Sequence, residues 1–138
     1  MISRGNNILI TPEGNAKVFD FGIAKHSDDD KGLTKTGVQL GTISYMSPEQ
    51  VKAEKVDELS DIYSLGVTLF QMAVGKAPYT EQTNTFDVQL NIVSKPFPKA
   101  RNHYPSVSDK LEAIIEKATQ KNKSERFQNC EEFIHSFK

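Results

Sequence analysis

The stretch "SDIYSLGVTLFQMAVG", residues 60–75, constrains the fold of this chain more than any other. Ser60 is a good N-cap, Gly75 a natural stop and Pro78 a breaker just beyond, so the pattern predicts a helix running from Ser60 to Val74. Its apolar residues, Ile62, Leu65, Val67, Leu69, Phe70, Met72 and Val74, spread round the helix instead of forming one stripe. A helix of that kind belongs in the middle of a domain, covered by other helices. It is too short to cross a bilayer, and Ser64, Thr68 and Gln71 interrupt it.

The remaining pattern supplies the covering elements. Ile8-Leu9-Ile10 and the alternating Ala16-Lys17-Val18-Phe19-Asp20 flank Pro12-Glu13-Gly14-Asn15, which predicts a β-hairpin over 8–20. From Gly22 to Ser47 no period is sustained, and a segment so long without one is more often functional than idle. Pro48 suits the first turn of a short helix with Glu49 near its positive end. A helix over 84–94 and a Pro-containing loop from Pro96 to Pro105 follow. Ser108 caps a helix in which Leu111, Ile114, Ile115 and Ala118 share one face. A last helix begins at Asn129, with Glu132 completing a capping box and Phe133 and Phe137 on one face.

At 138 residues the chain fits one mainly α domain carrying one small hairpin. A formal net charge of −1 gives no attraction for nucleic acid or an anionic membrane surface. The single cysteine, Cys130, allows no internal disulfide, reads as a buried inert thiol and suits the reducing cytoplasm.

The chemistry sits in "KVFDFGIAK". Asp20 ends a strand and is followed by Phe21 and Gly22, which places a carboxylate on a turn as a hard oxygen ligand for Mg²⁺. An Asx-turn after a strand would read the same, so the motif gains meaning from its company. Asn7 lies thirteen residues upstream, "GTISYMSPEQ" follows the long loop, "DIYSLG" opens the apolar helix, and Arg126 stands near the C-terminus.

Together these motifs resemble the C-terminal lobe of the serine/threonine protein kinases, especially the bacterial eukaryotic-like group, over about residues 7–137. The resemblance implies a partial kinase domain. Residues 1–7 are a catalytic-loop remnant, 8–22 a metal-binding hairpin, 23–49 an activation segment and 50–138 a helical subdomain. The parent fold is α+β with two lobes. By the same resemblance Asn7 and Asp20 hold the Mg²⁺ that bridges the phosphates of ATP. Phe21 and Gly22 complete a motif whose packing separates active from inactive states. Thr34 and Thr36 match paired phosphorylation sites in the activation segment, where a phosphate orders the loop by pairing with Arg or Lys. Two exposed polar loop residues would be spelled the same way. Thr42 matches the hydroxyl beside the catalytic Asp and favours serine/threonine specificity. Glu49 matches the acidic end of the Ala-Pro-Glu motif and Arg126 its late arginine partner. Asp61 matches the helix Asp that accepts hydrogen bonds from the catalytic loop.

The departures matter as much. Counting back five from Asn7 puts Ile2 where the family has its catalytic Asp, and Arg4 where it has Lys. An isoleucine cannot accept the proton of a substrate hydroxyl, a loss typically worth about 10²–10⁴ in rate. Nothing in the sequence resembles the Gly-rich phosphate loop, the strand lysine or its glutamate partner. The expectation is therefore a truncated serine/threonine kinase domain, inactive alone, whose parent transfers the γ-phosphate of ATP to proteins. An uncovered apolar helix face is expected to favour self-association. A non-catalytic, kinase-derived binding module is the competing reading. A small-molecule phosphotransferase is a third, opposed by an activation segment suited to polypeptide substrates.

Overall fold

The computed structural model describes residues 8–18 and 43–138. Strands β1 (Ile8–Ile10) and β2 (Ala16–Val18) pair antiparallel, with Ile8 opposite Val18 and Ile10 opposite Ala16. Thr11 closes the turn: its N–H donates to the Asn15 carbonyl at 2.8 Å and its carbonyl accepts from the Gly14 N–H at 2.8 Å. Gly14 takes a φ of +88°, which a side chain would resist.

Five α-helices follow among the described residues: α1 (Pro48–Val51), α2 (Glu58–Val74), α3 (Thr85–Ser94), α4 (Asp109–Ala118) and α5 (Cys130–His135). Short 3₁₀ turns at Ala100–Asn102 and Lys123–Glu125 precede α4 and α5. Side-chain caps start every one of the five: Ser47, Asp57, Asn84, Ser108 and Asn129 each accept from a first-turn N–H.

The start of α2 differs from the sequence expectation. Asp57, not Ser60, is its N-cap, and Ser60 sits at the third helical position, where its hydroxyl completes a capping box. The helix gains a first turn, Glu58 and Leu59, that the polar composition of 57–60 disguises as loop. Gly75 ends it as expected, at φ +88°.

Helix α2 is the axis of the core, though not covered all round: Leu65 is 37% and Met72 70% exposed. On its covered sides, Ile62 packs with Ile114, Ala118, Phe127 and Phe133, while Phe70 packs with Ala100, Val107 and Ile115. Gly66 lets α2 approach α4 closely, because a Cβ there would lie 2.7 Å from the Ala118 Cβ and 2.8 Å from the Thr119 Cγ2. A third cluster joins Ile43, Tyr79, Val88 and Ile92. Phe97, in the Pro-containing loop, ties it to the second through edge-to-face contacts with Phe70 at 5.3 Å and with Tyr63 and Tyr79 at 6.2 Å.

Two further expectations are corrected. Cys130 is exposed, at the first residue of α5, a helix of which only Phe133 is buried. Glu132 does not reach back to Asn129: its Oε2 accepts from the Gln128 N–H at 2.6 Å, one residue earlier. Phe133 is buried, but Phe137 stays 47% exposed, in ring contact with Phe133 at 5.6 Å.

Candidate functional site

Of the residues singled out by sequence, Glu49, Asp61 and Arg126 are described. Ile2, Arg4, Asn7, Asp20, Phe21, Gly22, Thr34, Thr36 and Thr42 lie outside the described residues.

Glu49 is placed by α1. Ser47 accepts from the Gln50 N–H while the Gln50 side chain accepts from the Ser47 N–H at 2.8 Å, and Pro48 fixes the first turn between them. This capping box leaves the Glu49 side chain pointing into the protein, 3% exposed. There it meets Arg126, seventy-seven residues away in sequence. Nη1 donates to Oε1 at 2.7 Å and Nη2 to Oε2 at 2.8 Å, a two-pronged match of guanidinium to carboxylate.

Every N–H of that guanidinium has an acceptor. Besides the two carboxylate oxygens, Nε donates to the Gln120 carbonyl at 2.8 Å, Nη1 to Leu59 at 2.8 Å and Nη2 to Lys121 at 3.3 Å. The Ser60 hydroxyl gives Glu49 Oε1 a further donor at 2.7 Å. The Tyr63 ring lies beneath the guanidinium, 5.0 Å from its carbon. Burial pushes the Glu49 carboxyl up, but hydrogen bonds from Arg126 and then Ser60 outweigh it and hold the group down at about 2.

Chemically the pair is inert. With the Arg126 side chain wholly buried and all five donors used, neither group has a free face for substrate or proton transfer. Its work is mechanical: it joins the end of the loop before α1 to the start of α2 and to the turn before α5. Tyr45 and Ser64 reinforce the first joint. The Tyr45 hydroxyl bonds to Gln71 Oε1, and the Ser64 hydroxyl donates to the Tyr45 carbonyl at 2.8 Å. Residues 43–49 thus run along α2 in a fixed path, with Ile43, Ser44, Ser47 and Glu49 buried.

Asp61 stands one residue beyond Ser60 in the first turn of α2. Among the described residues no partner holds its carboxylate. Desolvation, then the nearby charges of Asp57 and Glu58, raise its pKa above the usual carboxylate value.

Sequence reading missed Ser60, Tyr63 and Gln50 as members of this assembly. The spacing Ser47-x-x-Gln50 is a legible capping-box signal, whereas the inward roles of Ser60 and Tyr63 have no local signature. Among the described residues no group of three or more His, Cys, Asp or Glu side chains is placed to hold a metal ion. None of the described helices is long and apolar enough to cross a membrane.

Comparison with known proteins gives this architecture its relatives. The protein kinase domain family matches residues 4–137. The serine/threonine-protein kinase PknB of Mycolicibacterium smegmatis is 36% identical over 127 residues, covering 91% of this chain and 20% of that protein. The serine/threonine-protein kinase PrkC of Bacillus subtilis is 37% identical over 127 residues, 92% of this chain and 19% of that protein. The chain therefore spans about one fifth of the length of these curated relatives. A mainly helical body with one hairpin, organised round a buried Glu49–Arg126 pair, belongs to the protein kinase domain family, alongside the bacterial serine/threonine kinases.

Proposed function

We propose that these 138 residues form the helical, substrate-side lobe of a serine/threonine protein kinase, and that by themselves they do not transfer phosphate. The whole protein, in this reading, moves the γ-phosphate of ATP to serine or threonine hydroxyls of proteins in the cytoplasm. The observation that carries the reading is the Glu49–Arg126 clamp, which anchors the end of segment 23–49 on α2. A segment held so firmly at one end is suited to presenting a polypeptide. Two readings of the sequence accompany it: Thr42 contributes the hydroxyl that favours serine or threonine acceptors, and Thr34 and Thr36 are the sites of regulatory phosphorylation.

Asn7 and Asp20 offer an amide oxygen and a carboxylate, the hard donors that suit Mg²⁺. The metal, when bound with ATP, supplies charge neutralisation at the phosphates. Asp61 has an unpartnered carboxylate among the described residues, in keeping with a role as acceptor for backbone N–H groups of the loop carrying Asn7. Phe21 and Gly22 complete the motif that carries Asp20 and whose packing, in the family, separates active from inactive states. Ile2 supports the second half of the proposal, because a side chain without an acceptor cannot orient or deprotonate a substrate hydroxyl. Arg4 retains a positive charge but not the compact ammonium of Lys.

The experiment is transfer of radiolabelled γ-phosphate from ATP·Mg²⁺ to a generic protein substrate by the purified chain. No incorporation above that of the Asp20→Ala variant is expected. Turnover that vanishes on Asp20→Ala would overturn the inactivity, while binding of protein substrate without turnover would favour a non-catalytic docking lobe. The exposed Leu65 and Met72 support self-association at high concentration, which sedimentation velocity measures directly.

A further inference from the structure

A cleft of about 530 Å³ opens beside the buried pair, between the loop after α1 and the turn before α5. Lys52 and Lys55 line one wall, and Lys121, Asn122 and Lys123 the other. Lys123 staples the two walls together: its ammonium donates to the Lys55 carbonyl at 2.6 Å and to Asp57 Oδ2 at 3.1 Å. The cleft is therefore preformed.

Its charge is not balanced. Of the carboxylates nearby, Glu49 is matched by Arg126 and Asp57 by Lys123. Glu54, on the wall, reaches Lys52 only at 3.7 Å, with both side chains about half exposed, so that pair is weak and exchangeable. Among the described residues, Lys55 and Lys121 then remain without a counter-charge. The Lys121 ammonium is shut off from water and has no hydrogen-bond acceptor among the described residues. Lost hydration first, and the Arg126 charge second, hold its pKa down at about 8. An uncompensated cation in a low-dielectric wall projects its field into the cleft it borders. Asn122 adds a donor: its side-chain oxygen accepts from Ser124, and its amide N–H groups have no acceptor among the described residues.

We propose that this cleft docks a phosphorylated side chain of a polypeptide, its phosphate held between Lys52 and Lys55 in the field of Lys121 and its backbone meeting Asn122. A phosphomonoester carries close to two negative charges at neutral pH, which answers Lys55 together with Lys52, whose exposed pairing with Glu54 is readily exchanged. The volume is many times that of a water molecule, about 30 Å³, and leaves room for more than a free tetrahedral ion. A polyanion such as RNA draws on long-range attraction beyond the cleft, and a chain of net charge −1 adds none. None of Asn7, Asp20 or Thr42 takes part, so the result does not depend on the reading of the chain as a kinase lobe.

The test is fluorescence anisotropy of the full chain with a labelled Gly-Ser-pThr-Gly-Ser peptide and its unphosphorylated twin. The phosphopeptide is expected to bind at least tenfold more tightly, and Lys52→Gln/Lys55→Gln, at exposed positions, to lose at least tenfold of that affinity. Lys121→Met is expected to weaken binding severalfold while raising the melting temperature, a combination that a purely structural lysine does not give. Equal binding of the two peptides, or affinity within twofold of the parent in both variants, would overturn the proposal. So would inorganic phosphate competing as well as the unlabelled phosphopeptide, or a single-stranded oligonucleotide binding more tightly than either.

Discussion

The Ser60 hydroxyl and Arg126 Nη1 both donate to the same oxygen of Glu49, each at 2.7 Å. Ser60 thereby couples the first turn of α2 to an ion pair whose other members come from α1 and from the turn before α5. Removing one partner of such a buried pair leaves an uncompensated charge, and the penalty is typically about 3–5 kcal/mol. Arg126→Met is expected to fall in that range in urea unfolding. Ser60→Ala removes a hydrogen bond to a charged group, together with the long capping-box contact from the Asp57 N–H, and is expected to cost about 1.5–3 kcal/mol.

The same pair sets the response to acid. The Glu49 pKa is about 2 in the folded chain, against an ordinary 4.5, so its contribution is fully present above pH 4.5 and is lost as pH falls towards 2. The shift corresponds to on the order of 3 kcal/mol. Glu49→Gln, already destabilised at pH 7, is expected to lose less further stability across that window than the parent. Urea midpoints at pH 7, 4.5 and 3 measure this; parallel curves for the two proteins would refute it.

These dependencies show how far the sequence could be read. The apolar helix, the hairpin, the Ser108 and Asn129 caps and the Gly75 stop were all legible, because each depends on residues a few positions apart. Phe97 was not: it sits in a Pro-containing loop with no period, and its place between three aromatic rings is set by tertiary packing. Ser60 was read as a cap because capping residues and inward-facing polar residues share one spelling at the start of a helix. Cys130 was read as buried because thiols usually are, whereas position on α5 decides the matter. Glu49 and Arg126 were linked by likeness to a family, since nothing local joins residues so far apart.

Gly66 offers a test of packing against propensity. At an open helical site Gly→Ala stabilises by about 1 kcal/mol. Here the new methyl would meet Ala118 and Thr119 at 2.7 and 2.8 Å, with α4 already packed against the core. Overpacking of this kind typically costs about 1–3 kcal/mol, which reverses the sign. Gly66→Ala is expected to lower the urea midpoint, and an unchanged or raised midpoint would show that α2 and α4 separate freely.

Ala53 gives the opposite case. Helix α1 ends with Glu54 N–H donating to the Glu49 carbonyl at 2.8 Å and Ala53 N–H to the Gln50 carbonyl at 3.2 Å. This is the reach-back that normally places Gly at the turning residue. Ala53 occupies it at φ +56°, a left-handed conformation that costs a side-chain-bearing residue about 1–2 kcal/mol. Gly there loses about 0.5–1 kcal/mol in chain entropy, so Ala53→Gly is expected to gain up to about 1.5 kcal/mol net. Ala53→Val, β-branched at the same φ, is expected to destabilise; equal midpoints for the two variants would contradict the strain.

Lys121 carries the last prediction, in which the sign of the pH effect is the test. Its pKa falls from 10.5 to about 8 on folding, so the folded chain disfavours the charged amine. The unfolded chain binds more protons between those values, and stability therefore rises with pH across that window. Below pH 8 the full cost of burying the ammonium is present, on the order of 3 kcal/mol at most. Lys121→Met removes that charge, while the Lys121 backbone carbonyl can still accept from Arg126. The variant is expected to be more stable than the parent at pH 7 by about 1–3 kcal/mol, with the difference shrinking as pH approaches 10.5. Denaturant midpoints of both proteins at pH 7, 8.5 and 10 decide it. A gap that stays constant with pH would mean that the amine keeps its ordinary pKa in the folded chain.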